Sequence, residues 1–306
     1  GVVGQPATRT GRYDTGGTLG AVTLSNRFER ASGVLTGYAN RGEGNWFSQP
    51  GLDGDTLSTF RLSGMRLAEE LTPWRHGRLS AGLDVDRIGG EVAFNRVAPA
   101  PTASFTGETL TVTAPHLGIE QTIPVGGQWA LVPSAGVRYY KHSQLDSMSA
   151  PHVGLVARSS ALALRVNASR GVSYPGQEVL VLSSLIPPLG STWADLKPEL
   201  LDHVEVGASI APKTGTTLDV SFFSDGLENR YIFAFPPAVA FPQFTNLGEY
   251  DIRGAEVSLQ QPTALDPLYA DALRISRDPV HDIANYTAAA LLSEAKSRWA
   301  DRDRKS

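Results

Sequence analysis

The chain has 306 residues with 27 Lys and Arg against 31 Asp and Glu, a formal charge of −4. That balance provides no basic stripe to neutralise a phosphate backbone, which argues against a nucleic-acid partner. With no cysteine, disulfides, thiolate metal sites and cysteine nucleophiles are excluded. No run approaches the ~18 consecutive apolar residues of a membrane-spanning helix, a test that alternating barrel strands escape because they average out in a hydropathy window.

The first residues, "GVVGQPATRTGRYDTGG", carry no initiating Met and no charged-then-apolar leader. Strands of looser pattern are expected at 18–27, 33–42 and 56–67. A clean one follows, with Leu79, Ala81, Leu83 and Val85 opposing Ser80, Gly82, Asp84 and Asp86. Further strands are expected at 108–121, 128–141 and 152–157. Then Leu162, Leu164, Val166 and Ala168 oppose Arg165, Asn167 and Ser169; Val204, Val206, Ala208 and Ile210 oppose His203, Glu205, Gly207 and Ser209; and Leu218, Val220 and Phe222 oppose Asp219 and Ser221. In "NLGEYDIRGAEVSLQ" Ala255, Val257 and Leu259 oppose Gly254, Glu256, Ser258 and Gln260, the last of about eleven strands. From 263 alternation stops: the stretch is Ala-rich and ends in "DRDRKS", and Asp282 is placed to cap a helix bearing Ile283, Tyr286, Ala290 and Leu291.

Short links at 28–32, 69–77, 123–127, 158–160 and 211–215 alternate with long ones at 43–55, 91–107, 142–151, 171–200 and 226–245. Short and long links therefore lie at opposite ends of the strands. An outer-membrane barrel has that asymmetry; a soluble sandwich has no reason for it, yet its alternating faces read the same way, so both architectures remain open on pattern alone.

Catalytic signals are thin. "DTG" at Asp14–Gly16 lacks a preceding apolar run and a second copy, so it reads as a turn, and "GVSYPG" is not the G-x-S-x-G elbow. No H-E-x-x-H, Walker A loop or nucleotide-binding glycine fingerprint occurs. His76, His116, His142, His152, His203 and His281 are scattered without an i,i+4 pair, so no metal site and no cofactor is expected, and His203 on a polar strand face reads as solvated. Trp129, Tyr139, Tyr140, Phe222, Phe223 and Tyr231 lie near strand ends, where an interfacial girdle would put them and where aromatic strand propensity would too.

More specific are "WADLKPELLDHVEVGASI", "TTLDVSFFSDGLENRYIF" and "TNLGEYDIRGAEVSLQ", in that order. They resemble the late barrel segment of TonB-dependent outer-membrane receptors, through Leu196, Lys197, Pro198, Glu199, Glu205, Gly207, Phe222, Phe223, Asn229, Asn246, Gly248, Arg253, Gly254 and Glu256. Upstream, Gly136, Arg138, Tyr139, Pro151 and Gly171–Pro175 resemble the preceding strands, so the likeness covers 128–262 closely and 1–127 in general style. It implies an all-β, antiparallel up-and-down transmembrane barrel in the outer membrane of a Gram-negative bacterium, with lipid as a partner. It also implies import of a scarce small ligand, such as a ferric siderophore or cobalamin, driven by the TonB complex through a lumenal plug.

Against that family's pattern, no plug or TonB-box segment is found ahead of the first strand, only about eleven strands are counted, and a tail stands where a terminal aromatic strand is expected. The organisation expected is a partial barrel at 1–262 and a short C-terminal helical tail at 263–306, the whole being a fragment with a foreign or frame-altered end, unable to transport alone. On this reading Ala255, Val257 and Leu259 meet lipid, and Glu256, Ser258 and Gln260 meet the lumen or plug. Ligand contacts come from the long loops, with Trp46, Phe47, Tyr174, Trp193 and Phe244 as candidates. No enzyme activity is expected. The alternative is a secreted or soluble β-sandwich binding module with a helical appendage.

Overall fold

The computed structural model describes residues 11–48, 54–96, 103–176, 179, 192–213, 215–234, 243–261 and 274–276. Its strands are β1 (Arg12–Arg27), β2 (Ala31–Phe47), β3 (Gly54–Leu71), β4 (Gly77–Arg96), β5 (Ala103–Thr106), β6 (Leu110–Gln121), β7 (Ile123–Gly126) and β8 (Trp129–His142). They continue as β9 (Met148–Arg158), β10 (Leu162–Ser173), β11 (Glu199–Lys213), β12 (Thr216–Glu228), β13 (Tyr231–Ala234), β14 (Gln243–Asn246), β15 (Tyr250–Gln260) and β16 (Arg274–Ser276). Each of the eleven segments read from the sequence corresponds to one long strand, with 108–121 and 128–141 starting two and one residues ahead of β6 and β8. The short β5 and the β13–β14 hairpin were not expected, because four residues are too few to display a period.

The strands form one antiparallel meander in the order β1-β2-β3-β4-β6-β8-β9-β10-β11-β12-β15-β16, with β5 beside the upper part of β4 and β7 beside the start of β8. The expected difference in link length is corrected at two places, because strand reaches into the long links: β2 and β3 extend to Phe47 and from Gly54, and β8 and β9 leave 143–147 between them, no longer than 72–76 at the other end. Among the described residues β1 pairs with β2 alone and β16 with β15 alone, so the sheet has two free edges. The expected helical tail is corrected at Arg274–Ser276, which add a strand to β15, three residues carrying no period to read. The helix expected from Asp282 lies outside the described residues. No helix among them is long and apolar enough to cross a membrane, which says nothing of crossing by strands.

Direct cross-strand partners share a face, so the registers sort every side chain onto one of two sides. One row runs Leu71–Leu79–Ile119–Ala135–Val153–Ala168–Val204, and a parallel one Leu155–Val166–Val206–Phe222. These side chains face open space: Val153 is 56% exposed, Val206 51% and Phe222 63%. A continuous apolar band of this size on one face, uncovered by any second layer among the described residues, is what a sandwich must bury and a lipid-facing wall must display. The sandwich alternative fails here.

The opposite face holds what little interior there is. At the long-link end Leu110, Val179, Leu196 and Phe244 form a buried cluster, with Trp193 and Tyr231 packed against it.

Candidate functional site

Below the long links, the inner face is charged and internally paired. Arg165 lies on β10 between two carboxylates, its Nε 2.7 Å from Glu205 on β11 and its Nη2 2.8 Å from Asp219 on β12, where Ser209 also donates to Asp219. The guanidinium occupies the space above Gly207, where a Cβ would sit 2.5 Å from its Cζ, so the glycine is what lets Arg165 reach both acids. A second knot joins β2, β3, β4 and β8: Arg66 binds Asp86 at 2.7 Å, Arg138 binds Asp84 at 2.5 Å, and the Tyr38 hydroxyl donates to Asp86. His203, expected to be solvated, instead bonds Asp225 at 2.6 Å and stacks on Phe223. The sequence showed it on a polar face but not its cross-strand neighbour, since Asp225 is 22 residues away.

Towards the long-link end the two faces exchange character. β1 to β4 are 16, 17, 18 and 20 residues long, against 11 to 13 for β9, β10, β12 and β15. A bilayer needs only about 9–11 tilted residues, so these four strands project well past the apolar band. There the outer face is charged: Arg12 pairs with Asp14 at 2.9 Å, Arg61 with Glu91 at 3.3 Å, and Arg41 and Glu43 lie in the same registers. The inner face is uncharged at 13–21 of β1, 40–46 of β2, 56–62 of β3 and 88–94 of β4, and it presents Tyr13, Leu19, Trp46, Phe60, Ile88 and Phe94.

The five ligand candidates divide between four places. Trp46 is on the projecting inner face, edge-on to Tyr13 at 6.1 Å. Phe47, the next residue, turns to the outer face beneath the Arg12 guanidinium, 4.8 Å from its ring centroid. Trp193 and Phe244 come together in the loop cluster, where Phe244 is 8% exposed and packs 5.1 Å from Phe233. Tyr174 stacks on His142 at 4.6 Å and donates from its hydroxyl to the Asp146 carbonyl at 2.9 Å. Burial first, then Tyr139, Tyr140 and Asp146, push the Tyr174 phenol up to about 12. His142, 6% exposed, accepts from the backbone N–H groups of Gln144 and Leu145 at 3.1 and 3.0 Å through Nδ1, and burial holds its pKa below the usual imidazole value.

Phe60, Phe94 and Tyr13 were missed by reading from the sequence. The available signal was the phase change in "TFRLSGMRL", where the apolar residues move from even to odd positions. Of the six girdle aromatics, Trp129, Tyr139 and Phe222 are on the outer face and exposed, whereas Phe223 is on the inner face over Gly254 and Tyr231 packs on the loop cluster. Tyr140, also inward by register, lies 6.4 Å from Tyr174. Trp74, 43% exposed at the short-link end, donates from its indole to Gln121 at 2.6 Å.

A single meander with an exposed apolar band outside and paired charges inside is the wall of a transmembrane β-barrel. The family model described as TonB dependent receptor-like, beta-barrel matches residues 5–304, and the chain belongs to that family. The match runs across the boundary expected at 262. A search of the curated proteins found no match.

Among solved structures, the ferric enterobactin receptor PfeA of Pseudomonas aeruginosa, as its Q482A mutant with enterobactin, aligns with a TM-score of 0.61 at 14% identity, over 86% of this chain and 43% of its own. The siderophore receptor PirA of Acinetobacter baumannii aligns at 0.62 and 10%, over 82% and 43%. The FrpB iron transporter of Neisseria meningitidis aligns at 0.61 and 11%, over 82% and 42%. The chain thus spans less than half the length of these proteins, and the likeness is one of fold.

Proposed function

We propose that this chain forms part of the barrel wall of a TonB-dependent receptor in the outer membrane of a Gram-negative bacterium. Its apolar band lies in lipid, its paired charges line the lumen, and its long links form the outer mouth. The whole receptor imports a scarce small ligand, a metal chelate such as a ferric siderophore or a cobalamin, with energy passed from the TonB complex through a lumenal plug; no chemistry is performed on the ligand. Trp46, Phe47, Tyr174, Trp193 and Phe244 are the loop-end residues proposed to meet it, with Trp46 the most open of those on the inner side.

The observation that carries this reading is the exposed band running from Leu71 to Val204 on one face, with Arg165, Glu205 and Asp219 paired on the other. The two sheet edges left unpaired among the described residues support it too, since hydrocarbon satisfies no backbone hydrogen bonds and a complete wall must pair them. The test is fractionation of the cells that make the protein. It should sediment with the outer membrane, require detergent for extraction, and migrate differently before and after boiling. Release into buffer without detergent overturns the reading.

A further inference from the structure

At the short-link end of β1 to β4 the apolar outer face is broken at one place. Leu24–Leu35–Leu67–Leu83 form one apolar row and Ala31–Leu71–Leu79–Ile119 another, and the row between them is Asn26–Gly33–Glu69–Ala81–Leu117. Glu69 therefore puts a carboxylate on the lipid side of the wall, with Leu67 and Leu71 on either side of it along β3. The carboxylate does not turn towards the strand end. It lies sideways over Gly33, where a Cβ would collide with it, and accepts from the Asn26 side-chain amide at 2.9 Å. Among the described residues that is its one polar contact, and no cation offsets its charge.

An ionised group on a lipid-facing wall is costly unless a partner neutralises it. Its depth decides which partner can reach it. Glu69 is two residues from Leu71, the last of β3, or about 7 Å along the strand. Beyond that end the Trp74 indole lies over Gly77 and donates to Gln121, placed at the edge of the apolar face as an interfacial anchor is. The carboxylate thus lies just inside the headgroup level of the inner leaflet. At the same end stands Arg30, exposed, whose carbonyl accepts from the Thr72 N–H at 2.9 Å and whose guanidinium has no partner among the described residues. A cation at the water edge with an anion one row deeper complements a zwitterionic headgroup, phosphate to the first and ammonium to the second. Ala31, Gly33 and Ala81 beside Glu69 carry no bulk that would screen it from such a group. We propose that Asn26 and Glu69 form a notch on the lipid side of the wall that holds one inner-leaflet phospholipid by its primary ammonium. The notch rests on the receptor reading above, which puts this face in the bilayer, and it adds a lipid of stated chemistry.

The test is native mass spectrometry of the receptor purified in detergent and offered equal amounts of phosphatidylethanolamine and phosphatidylcholine with the same acyl chains. The headgroup nitrogen carries hydrogens in the first and methyl groups in the second. Phosphatidylethanolamine should be retained about ten-fold over phosphatidylcholine, the worth of one charge-assisted hydrogen bond. Glu69→Gln should abolish the preference, and Gly33→Ala, which displaces the carboxylate, should reduce it. Arg30→Gln should weaken both lipids alike and leave the preference in place. Glu69→Lys should transfer the preference to anionic phosphatidylglycerol, a gain that misfolding cannot mimic. Equal retention of the two zwitterionic lipids by the unmodified protein, or a preference that Glu69→Gln leaves intact, overturns the notch. So does release of the retained lipid by free ethanolamine at the same concentration, since the occupant would then be the ammonium without its lipid. Failure of outer-membrane fractionation strikes the receptor reading instead, whereas a heat-modifiable outer-membrane protein that does not sort the lipids loses the notch alone.

Discussion

The membrane-level band and the projecting ends of β1 to β4 use the same backbone and the same period of two, in opposite phase. In β4, Leu79, Leu83 and Val85 face outward and Asp84 and Asp86 inward; a few residues on, Arg87 and Glu91 are outward and Ile88, Val92 and Phe94 inward. β3 changes over at the same level, between Arg66 and Leu62 on its inner face. Alternation therefore fixes that a strand separates two environments, while the identity of those environments changes along a single strand. Where lipid lies outside, apolar side chains point out; where water lies outside, charges do, and the inner side becomes free to carry rings.

The largest expected effect comes from putting the same cation on the same face of the two regions. Val206→Arg lies mid-band with its side chain half exposed and should cost about 2–4 kcal/mol, the depth-dependent penalty of a cation on a lipid face. Thr59→Arg, outward on the projecting part of β3 and in register with both Glu43 and Glu91, should be neutral or slightly favourable. Urea unfolding from lipid vesicles measures both. Equal penalties would remove the boundary between the regions.

A smaller effect is expected on the inner side of the band. Arg165→Met leaves Glu205 and Asp219 facing one another without their shared cation, at a cost of about 1–3 kcal/mol once lumenal water is allowed for. Combining it with Glu205→Gln and Asp219→Asn should recover most of that loss in the same unfolding assay. If the triple variant is no more stable than Arg165→Met, the three side chains do not act as one unit.

The contrast also explains what was legible in the sequence. Where one phase persists for a whole strand, as in β10 to β12, the strands and their two faces were readable, and Arg165, Glu205 and Asp219 each stood on the polar face of its strand. The β1 to β3 strands showed only loose alternation because the phase change splits each into two short patterns. Residues 43–47 of β2, 54–55 of β3 and 91–96 of β4 fell in expected long links, and Trp46 was picked out while its neighbours Tyr13, Phe60 and Phe94 were not. Contacts made by register rather than spacing, such as His203 with Asp225, depend on which strands pair and are not written in either strand separately. The three residues of β16 are too short for any periodic signal.

The smallest expected effect concerns the loop end, where the link after β8 is held by His142. Its Nδ1 accepts two backbone N–H groups, which requires an unprotonated ring, and its depressed pKa agrees with that. A histidine whose folded pKa lies below its usual 6.5 contributes stability that is fully present above that value and lost as pH falls through it towards the folded pKa. Around it stand Lys141 next in sequence, Tyr174 stacked on the ring with Tyr140 6.4 Å from Tyr174, the Asp146 carbonyl holding the Tyr174 hydroxyl, and Glu108 bonded to Gln144 at 2.9 Å. Acidification from pH 7.5 to 5 should therefore loosen the 143–147 link by on the order of 1 kcal/mol, the worth of one or two neutral hydrogen bonds. Amide hydrogen exchange, corrected for intrinsic rates, should show protection at Gln144 and Leu145 falling over that range while the amides of β8 are unchanged. His142→Asn keeps an acceptor that does not titrate, so its protection should be independent of pH. Equal protection at both pH values in the unmodified protein would mean that another group holds the link, and the loop end would then be no more responsive to acid than the band below it.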